Sequence, residues 1–176
     1  MKLIVGIGLF AIVTVLTGCQ SGQESCVRGD WCACSNGTDC YQGCAGDGDG
    51  CRFFCNNMVR CGATCGKDCN IESDHATDTS SDCGDNCNIS CNDSKSCGAF
   101  CGANCNYSCW NMDHCGVQVG RGSLVTCSSA KNCVVKCLGG CHVFCTDEVD
   151  RCEVSCPGGA SPISCTDGSV ACGSCP

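Results

Sequence analysis

Aromatic side chains, leucine and basic charge are all in short supply in this 176-residue chain. Five Phe, two Trp and two Tyr, with few leucines beside them, cannot fill a conventional hydrophobic core. Ten Lys and Arg stand against 18 Asp and Glu, for a formal net charge of −8. That balance argues against nucleic acid or an anionic membrane surface as partner, and mainly favours solubility. The apolar run at residues 3–16 is too short to cross a bilayer comfortably. Catalytic signatures are missing as well. No Ser/His/Asp grouping has a recognisable context, no phosphate loop occurs, and no two carboxylates can be assigned to one pocket. The expectation is a protein that is not an enzyme, with no catalytic residue and no cofactor.

The first nineteen residues, MKLIVGIGLFAIVTVLTGC, place one basic residue, Lys2, ahead of the apolar run, as an export signal does. The run ends in Leu16-Thr17-Gly18-Cys19. This resembles the lipobox of bacterial lipoproteins, and the resemblance is confined to the N-terminal segment. It implies a signal peptide over residues 1–18, cleavage before Cys19, a thioether-linked diacylglycerol on the Cys19 sulfur, and an acyl chain such as palmitate on its amino group. Gln20 stands where an Asp would mark inner-membrane retention. The family's sorting rule therefore implies the cell outer membrane, on its periplasmic face or at the cell surface. Each buried methylene adds roughly 0.8 kcal/mol, so several chains on one residue anchor stably. Residues 19–33 are then the lipidated cysteine, a polar tether and an N-terminal cap.

Cysteine is what the chain has in excess, with 29 residues. Export places them in an oxidising compartment, where dense cysteine means disulfides. Setting Cys19 aside leaves 28, an even number, and cross-links take the place of burial. Removal of Lys2 leaves nine basic against 18 acidic residues, a net charge of −9.

The cysteines keep a period. Units of 18 residues begin at Cys55, Ser73, Cys91, Cys109, Cys127 and Cys145, the last with a one-residue insertion. Position 7 of successive units holds Cys61, Thr79, Cys97, Cys115, Cys133 and Cys152. Position 11 holds Cys65, Cys83, Cys101, Val119, Cys137 and Cys156, with Gly66, Gly84, Gly102 and Gly120 after the first four. Position 15 holds Cys69, Cys87, Cys105, Ser123 and Cys141. Position 17 is bulky throughout (Ile71, Ile89, Tyr107, Val125, Val143), and position 9 is small or β-branched (Ala63, Ser81, Ala99, Val117, Val135, Val154). A fixed short period of this kind marks a stacked repeat.

Residues between the cysteines, such as "NIS", "NYS", "GAN" and "GDN", suit short strands and turns better than helix. The fold class expected is therefore all-β: a β-solenoid, β-helix-like, over residues 34–165, followed by a C-terminal cap at 166–176. One strand covers positions 7–11 and a second covers positions 15–19. A Gly-containing turn joins them, and a five-residue polar loop returns the chain. Two parallel sheets then face each other across a thin core. Their inward volumes compensate: Ala99 opposes Tyr107, while Val117 opposes Val125. At ~4.8 Å per coil, seven or so coils make a rod of roughly 35 Å.

Cysteines are lost in pairs. The unit at Ser73 lacks positions 1 and 7, and the unit at Cys109 lacks positions 11 and 15. Half-cystines lost together are most simply partners, so position 1 pairs with 7 and position 11 with 15. Extended to both ends, the rule joins each cysteine to its neighbour. The expected links are Cys26–Cys32, Cys34–Cys40, Cys44–Cys51, Cys55–Cys61, Cys65–Cys69, Cys83–Cys87 and Cys91–Cys97. They continue as Cys101–Cys105, Cys109–Cys115, Cys127–Cys133, Cys137–Cys141, Cys145–Cys152, Cys156–Cys165 and Cys172–Cys175. Each closes a short loop and contributes about 2 kcal/mol by the loop-entropy model.

Outward positions carry less information. Asn70, Asn88 and Asn106 share position 16 and read as a stacked amide ladder. Further along, the same face turns apolar at Leu124, His142 and Phe144, a possible contact patch for an envelope protein or for self-association. His75, His114 and His142 occupy different unit positions and do not stack, so no metal site is expected of them. The expectation is a membrane-anchored envelope lipoprotein, held through Cys19, with a structural, adhesion or protein-binding role. The alternative is an extracytoplasmic metal-binding or thiol-redox protein, which needs free thiolates.

Overall fold

In a computed structural model, which describes residues 23–45, 48–146 and 148–175, the chain winds into a β-solenoid of about seven turns. The lipobox and Cys19 lie outside the described residues. Among the described residues, thirteen strands run β1 (Gln23–Cys26), β2 (Trp31–Cys44), β3 (Arg52–Cys65), β4 (Asn70–Asp74), β5 (Asp78–Cys83), β6 (Asn88–Asn92) and β7 (Ser96–Cys101). They continue as β8 (Asn106–Val119), β9 (Ser123–Cys137), β10 (Cys141–Cys145), β11 (Arg151–Ser155), β12 (Ile163–Ser164) and β13 (Val170–Cys172). Parallel pairing follows the repeat without slip: Ile71 lies beside Ile89, Ile89 beside Tyr107, and Tyr107 beside Val125. Pairing already begins at Gln23 against Tyr41, inside the segment read as tether and cap.

Strand alternation puts positions 9 and 17 inside. Ile71, Ile89, Tyr107, Val125 and Val143 are buried, as are Ala63, Ser81, Ala99, Val117 and Val135 on the facing strands. The largest of them, Tyr107, faces one of the smallest. Its hydroxyl donates to the Cys97 carbonyl at 3.1 Å, and burial pushes the phenol well above its ordinary range.

The corners explain the Asn, Asp and Gly content. Position 3 holds Asn36, Asn57, His75, Asp93, Asn111 and Ser129, all with φ between 48° and 57°. Position 14 repeats the left-handed conformation at Asp68, Asn86, Asn104 and Gly122. Short polar side chains tolerate that region better than most. The corner between positions 2 and 6 is not the purely polar loop expected from sequence. Strands β2, β3, β8 and β9 run through it, and Met112 pairs with Ala130 there. Its position 4 turns inward, so Met58, Ala76, Ser94, Met112 and Ala130 are buried. A disulfide from position 1 to position 7 spans this corner in four of these coils, and in the coil of Ala76 the Ser73–Thr79 hydrogen bond stands in its place.

At the opposite corner, position 12 demands glycine for space. The Gly84 amide donates to Gly66 O at 2.6 Å, Gly102 to Gly84 O at 2.9 Å, and Gly120 to Gly102 O at 2.9 Å. A Cβ added at Gly84 or Gly120 would meet a neighbouring carbonyl oxygen at 2.6 Å. The column ends at Leu138, whose amide bonds Val119 O instead.

Among the described residues, fourteen disulfides join the cysteines, with Cα separations of 5.4 to 6.5 Å. From Cys26–Cys32 through Cys145–Cys152 each links sequence neighbours. The last two differ from the nearest-neighbour rule. Cys156 pairs with Cys172 in place of Cys165, and Cys165 pairs with Cys175, so Cys172–Cys175 does not form. The cause is a chain reversal. After β11 the backbone leaves the coil path, and β13 returns antiparallel to β10, setting Cys172 beside Cys141. Position 11 is thus still linked to a cysteine in the position-15 column, but one delivered from the cap.

Where cysteines are missing, other contacts fill in. Ser73 Oγ and Thr79 Oγ1 share a buried hydrogen bond of 2.7 Å in place of one disulfide. Val119 is fully buried in place of a half-cystine, and Ser123 Oγ accepts from the Cys105 amide at 3.0 Å.

Candidate functional surfaces

All inward positions serve the core, so any partner must meet the outer faces. On the strand containing positions 16 to 18 the amide ladder has one rung: Asn106 Nδ2 donates to Asn88 Oδ1 at 3.0 Å. Asn70 turns to its own strand and donates to Glu72 Oε1 at 2.8 Å. Leu124, His142 and Phe144 do come together and point outward, Leu124 lying directly beside His142. Leu124 is exposed, whereas His142 and Phe144 are half-buried. The cap reaches this spot: His142 Nε2 lies 3.0 Å from Ser174 O, and Ala171 pairs with His142. The patch is therefore smaller than the sequence suggested.

The three histidines stay apart. His75 sits at a corner with Nδ1 3.0 Å from Asp74 Oδ1, and His114 Nδ1 lies 3.3 Å from Asn132 Nδ2. Beside His75 is a polar hollow of about 410 Å³, lined by Asp93, Asn111, Asp113 and Lys131 among others. Lys131 Nζ donates to Asp113 Oδ1 at 2.5 Å. That bond holds the Asp113 carboxyl below its ordinary range and the Lys131 ammonium above its own.

Sulfur atoms stack along the solenoid closely enough to suggest a metal cage. Cys65, Cys69 and Cys83 lie with their Sγ atoms within 4.8 Å of one another, as do Cys115, Cys127 and Cys133. Each of these atoms already belongs to a disulfide. A half-cystine has no thiolate to offer a metal.

A larger surface lies on the other sheet, where the sequence reading assigned nothing. The outward positions of that strand are 8 and 10. Position 8 is Tyr41, Gly62, Ser80, Gly98, Gly116 and Val134 in successive coils. Its small residues form the floor of a trough of about 820 Å³. Tyr41, Phe100 and Val134 stand on its borders, 47%, 59% and 46% exposed. Its signal was the recurring Cys-Gly pair at Cys61-Gly62, Cys97-Gly98 and Cys115-Gly116, overshadowed by the cysteines themselves.

No protein-family model, no curated protein and no solved structure matches the chain. Function therefore rests on the chemistry of its own residues.

Proposed function

We infer that the chain is a non-enzymatic lipoprotein of the cell envelope, anchored through Cys19, whose rigid solenoid serves as a structural, adhesion or protein-binding scaffold at the outer membrane. One observation carries this reading. Of 29 cysteines, the 28 from Cys26 onward are paired with one another, and the one outside that set stands in Leu16-Thr17-Gly18-Cys19. An odd cysteine in an otherwise saturated set needs its own chemistry, and acylation supplies it. A short polar stretch, Gln20 to Gly22, then leads to the first paired strand at Gln23. The pairing also disfavours metal storage or dithiol exchange, both of which need thiolates.

The test is fractionation of the full chain against Cys19→Ser. The variant is expected in the soluble fraction and the parent in membranes, with a long-chain acyl mass on the Cys19 peptide. Unchanged membrane association with normal cleavage refutes the anchor. A titration of free thiols on the exported protein separates the two function classes: near zero fits the scaffold, and many would favour metal or redox chemistry.

A further inference from the structure

The trough and its borders have a shape that matches itself. On the strand bearing positions 8 and 10, each coil from Tyr41 to Gln118 presents one larger and one smaller outward side chain. They are Tyr41 with Gly43 and Gly62 with Thr64, then Ser80 with Asp82. Phe100 follows with Gly98, and Gln118 with Gly116. The columns run straight, because every coil pairs with the next in unshifted register. Consider a twofold axis lying in this face and parallel to the solenoid axis. It exchanges the two columns but leaves coil height unchanged, so position 10 of one copy lands on position 8 of the same coil in the other. Phe100 then enters the space above Gly98, Gln118 covers Gly116, and the Asp82 carboxylate meets the Ser80 hydroxyl. In the next coil the Lys136 stem lies along Val134. An axis along the strands instead brings position 10 onto position 10, with Phe100 against Phe100 when centred on that coil.

We propose that this face is an isologous interface with a second copy of the chain, two solenoids packing sheet to sheet in parallel. Several observations support a second copy over another occupant. Close-packed sheets need bumps matched to hollows, and a twofold interface requires the matching to be internal to one surface, which is what the residue pairs provide. The space is open for it at two of the three glycines: a Cβ added at Gly116 meets nothing within 4 Å, and one at Gly98 nothing closer than 3.9 Å, whereas the Tyr41 ring of the same chain already covers Gly62. The area suffices for a weak dimer. Six coils at ~4.8 Å and six residues at ~3.3 Å give a face of about 570 Å² per copy, near the lower end of specific interfaces once both sides are counted. Within the face no like charges meet, since Asp82 and Lys136 fall in different coils and neither meets its own kind. The parallel arrangement also sets both N-termini at one end, as two chains anchored in one membrane require; only this last point rests on the proposed anchoring.

The test uses the full-length oxidised protein, solubilised in mild detergent and weighed by native mass spectrometry across a concentration series. A concentration-dependent dimer is expected. Gly98→Arg should halve the mass, as should Phe100→Ser, with circular dichroism and the disulfide map of each unchanged. The exchange variant Gly98→Phe with Phe100→Gly should restore the dimer, because under this axis the swapped bump again faces the swapped hollow. A parent that stays monomeric at all concentrations overturns the proposal, and so does a dimer that survives Gly98→Arg. Failure of the exchange variant to dimerise while Gly98→Arg is monomeric overturns the twofold geometry. Retention of a monomeric parent on cell-wall polysaccharide, lost in Gly98→Arg, would overturn the second copy and assign the face to a glycan. None of these outcomes bears on whether Cys19 is acylated, so the two readings fail separately.

Discussion

Replacing Gly102 by alanine probes the contact that sets the coil spacing. The backbone angle is not the issue, since Gly102 is absent from the residues with positive φ. Space is. A Cβ at Gly102 would fall 2.8 Å from the carbonyl carbon of Gly84 and 2.9 Å from the amide nitrogen of Asp85. Carbon atoms pack at about 3.5 Å or more, so the coils must part by roughly 0.7 Å at this corner. The Gly102 amide sits 2.9 Å from Gly84 O and 3.1 Å from Cys83 O. Parting of that size stretches the shorter bond beyond the range of N–H···O geometry. The neighbouring bond from the Ala103 amide to Asp85 Oδ1, 2.8 Å long, stretches with it. Two weakened bonds at about 1 kcal/mol each, with an overpacking cost of about 1–3 kcal/mol, predict a loss of about 3–5 kcal/mol. The control is four residues away. Gly98→Ala projects into open space on the same coil and should change stability by no more than about 0.5 kcal/mol, or raise it slightly. Guanidinium unfolding of both oxidised variants, followed by far-ultraviolet circular dichroism, measures the difference. Equal midpoints for the two would refute the steric account of the glycine column.

Four further outcomes are expected. Ser73→Cys with Thr79→Cys should form a fifteenth disulfide, because their oxygens already lie 2.7 Å apart; the product loses two hydrogens on oxidation and gains about 1–2 kcal/mol. Ser73→Ala alone should cost about 1–3 kcal/mol by leaving the buried Thr79 hydroxyl without its partner. A non-reducing digest should yield Cys156 linked to Cys172 and Cys165 to Cys175, and recovery of a Cys172–Cys175 peptide would overturn the cap topology. Tyr107 should make stability fall at alkaline pH. Its phenol is held neutral by burial, so its pKa is raised in the folded state. Stability is then intact below the unfolded pKa of about 10 and declines above it, as the unfolded chain releases a proton that the folded chain retains. Tyr107→Phe should flatten that part of the slope, measured as unfolding free energy against pH between roughly 9 and 11.

The inner half of the molecule was legible in the sequence because it is periodic. A strand exposes alternate residues to one face, so a cysteine at positions 1, 7, 11 and 15 and a bulky residue at 17 announce the interior directly. The joint absence of cysteines at Ser73 and Thr79, and at Val119 and Ser123, marks these positions as facing each other. Tyr107 opposite Ala99 could be paired by volume alone. The corner at position 4 was harder. Met58, Ala76, Ser94, Met112 and Ala130 share no chemistry, and their burial follows from the corner turning inward between positions 1 and 7, which a disulfide joins in four of these coils and the Ser73–Thr79 hydrogen bond in the fifth.

The outer half was settled only in three dimensions. Leu124, His142 and Phe144 could be assigned outward by alternation, but not how far the cap would cover them, because β13 arrives by a reversal that no repeat predicts. The same reversal redirects Cys156: past position 11 of the last coil the spacing rule has no next coil to act on, and proximity to β10 decides. The trough has a different cause. Gly62, Gly98 and Gly116 are set by no core or cross-link, so nothing in the period marks them. Their shape acquires meaning only once stacking aligns them beside Phe100 and Gln118, because complementarity is a property of a surface and not of a chain.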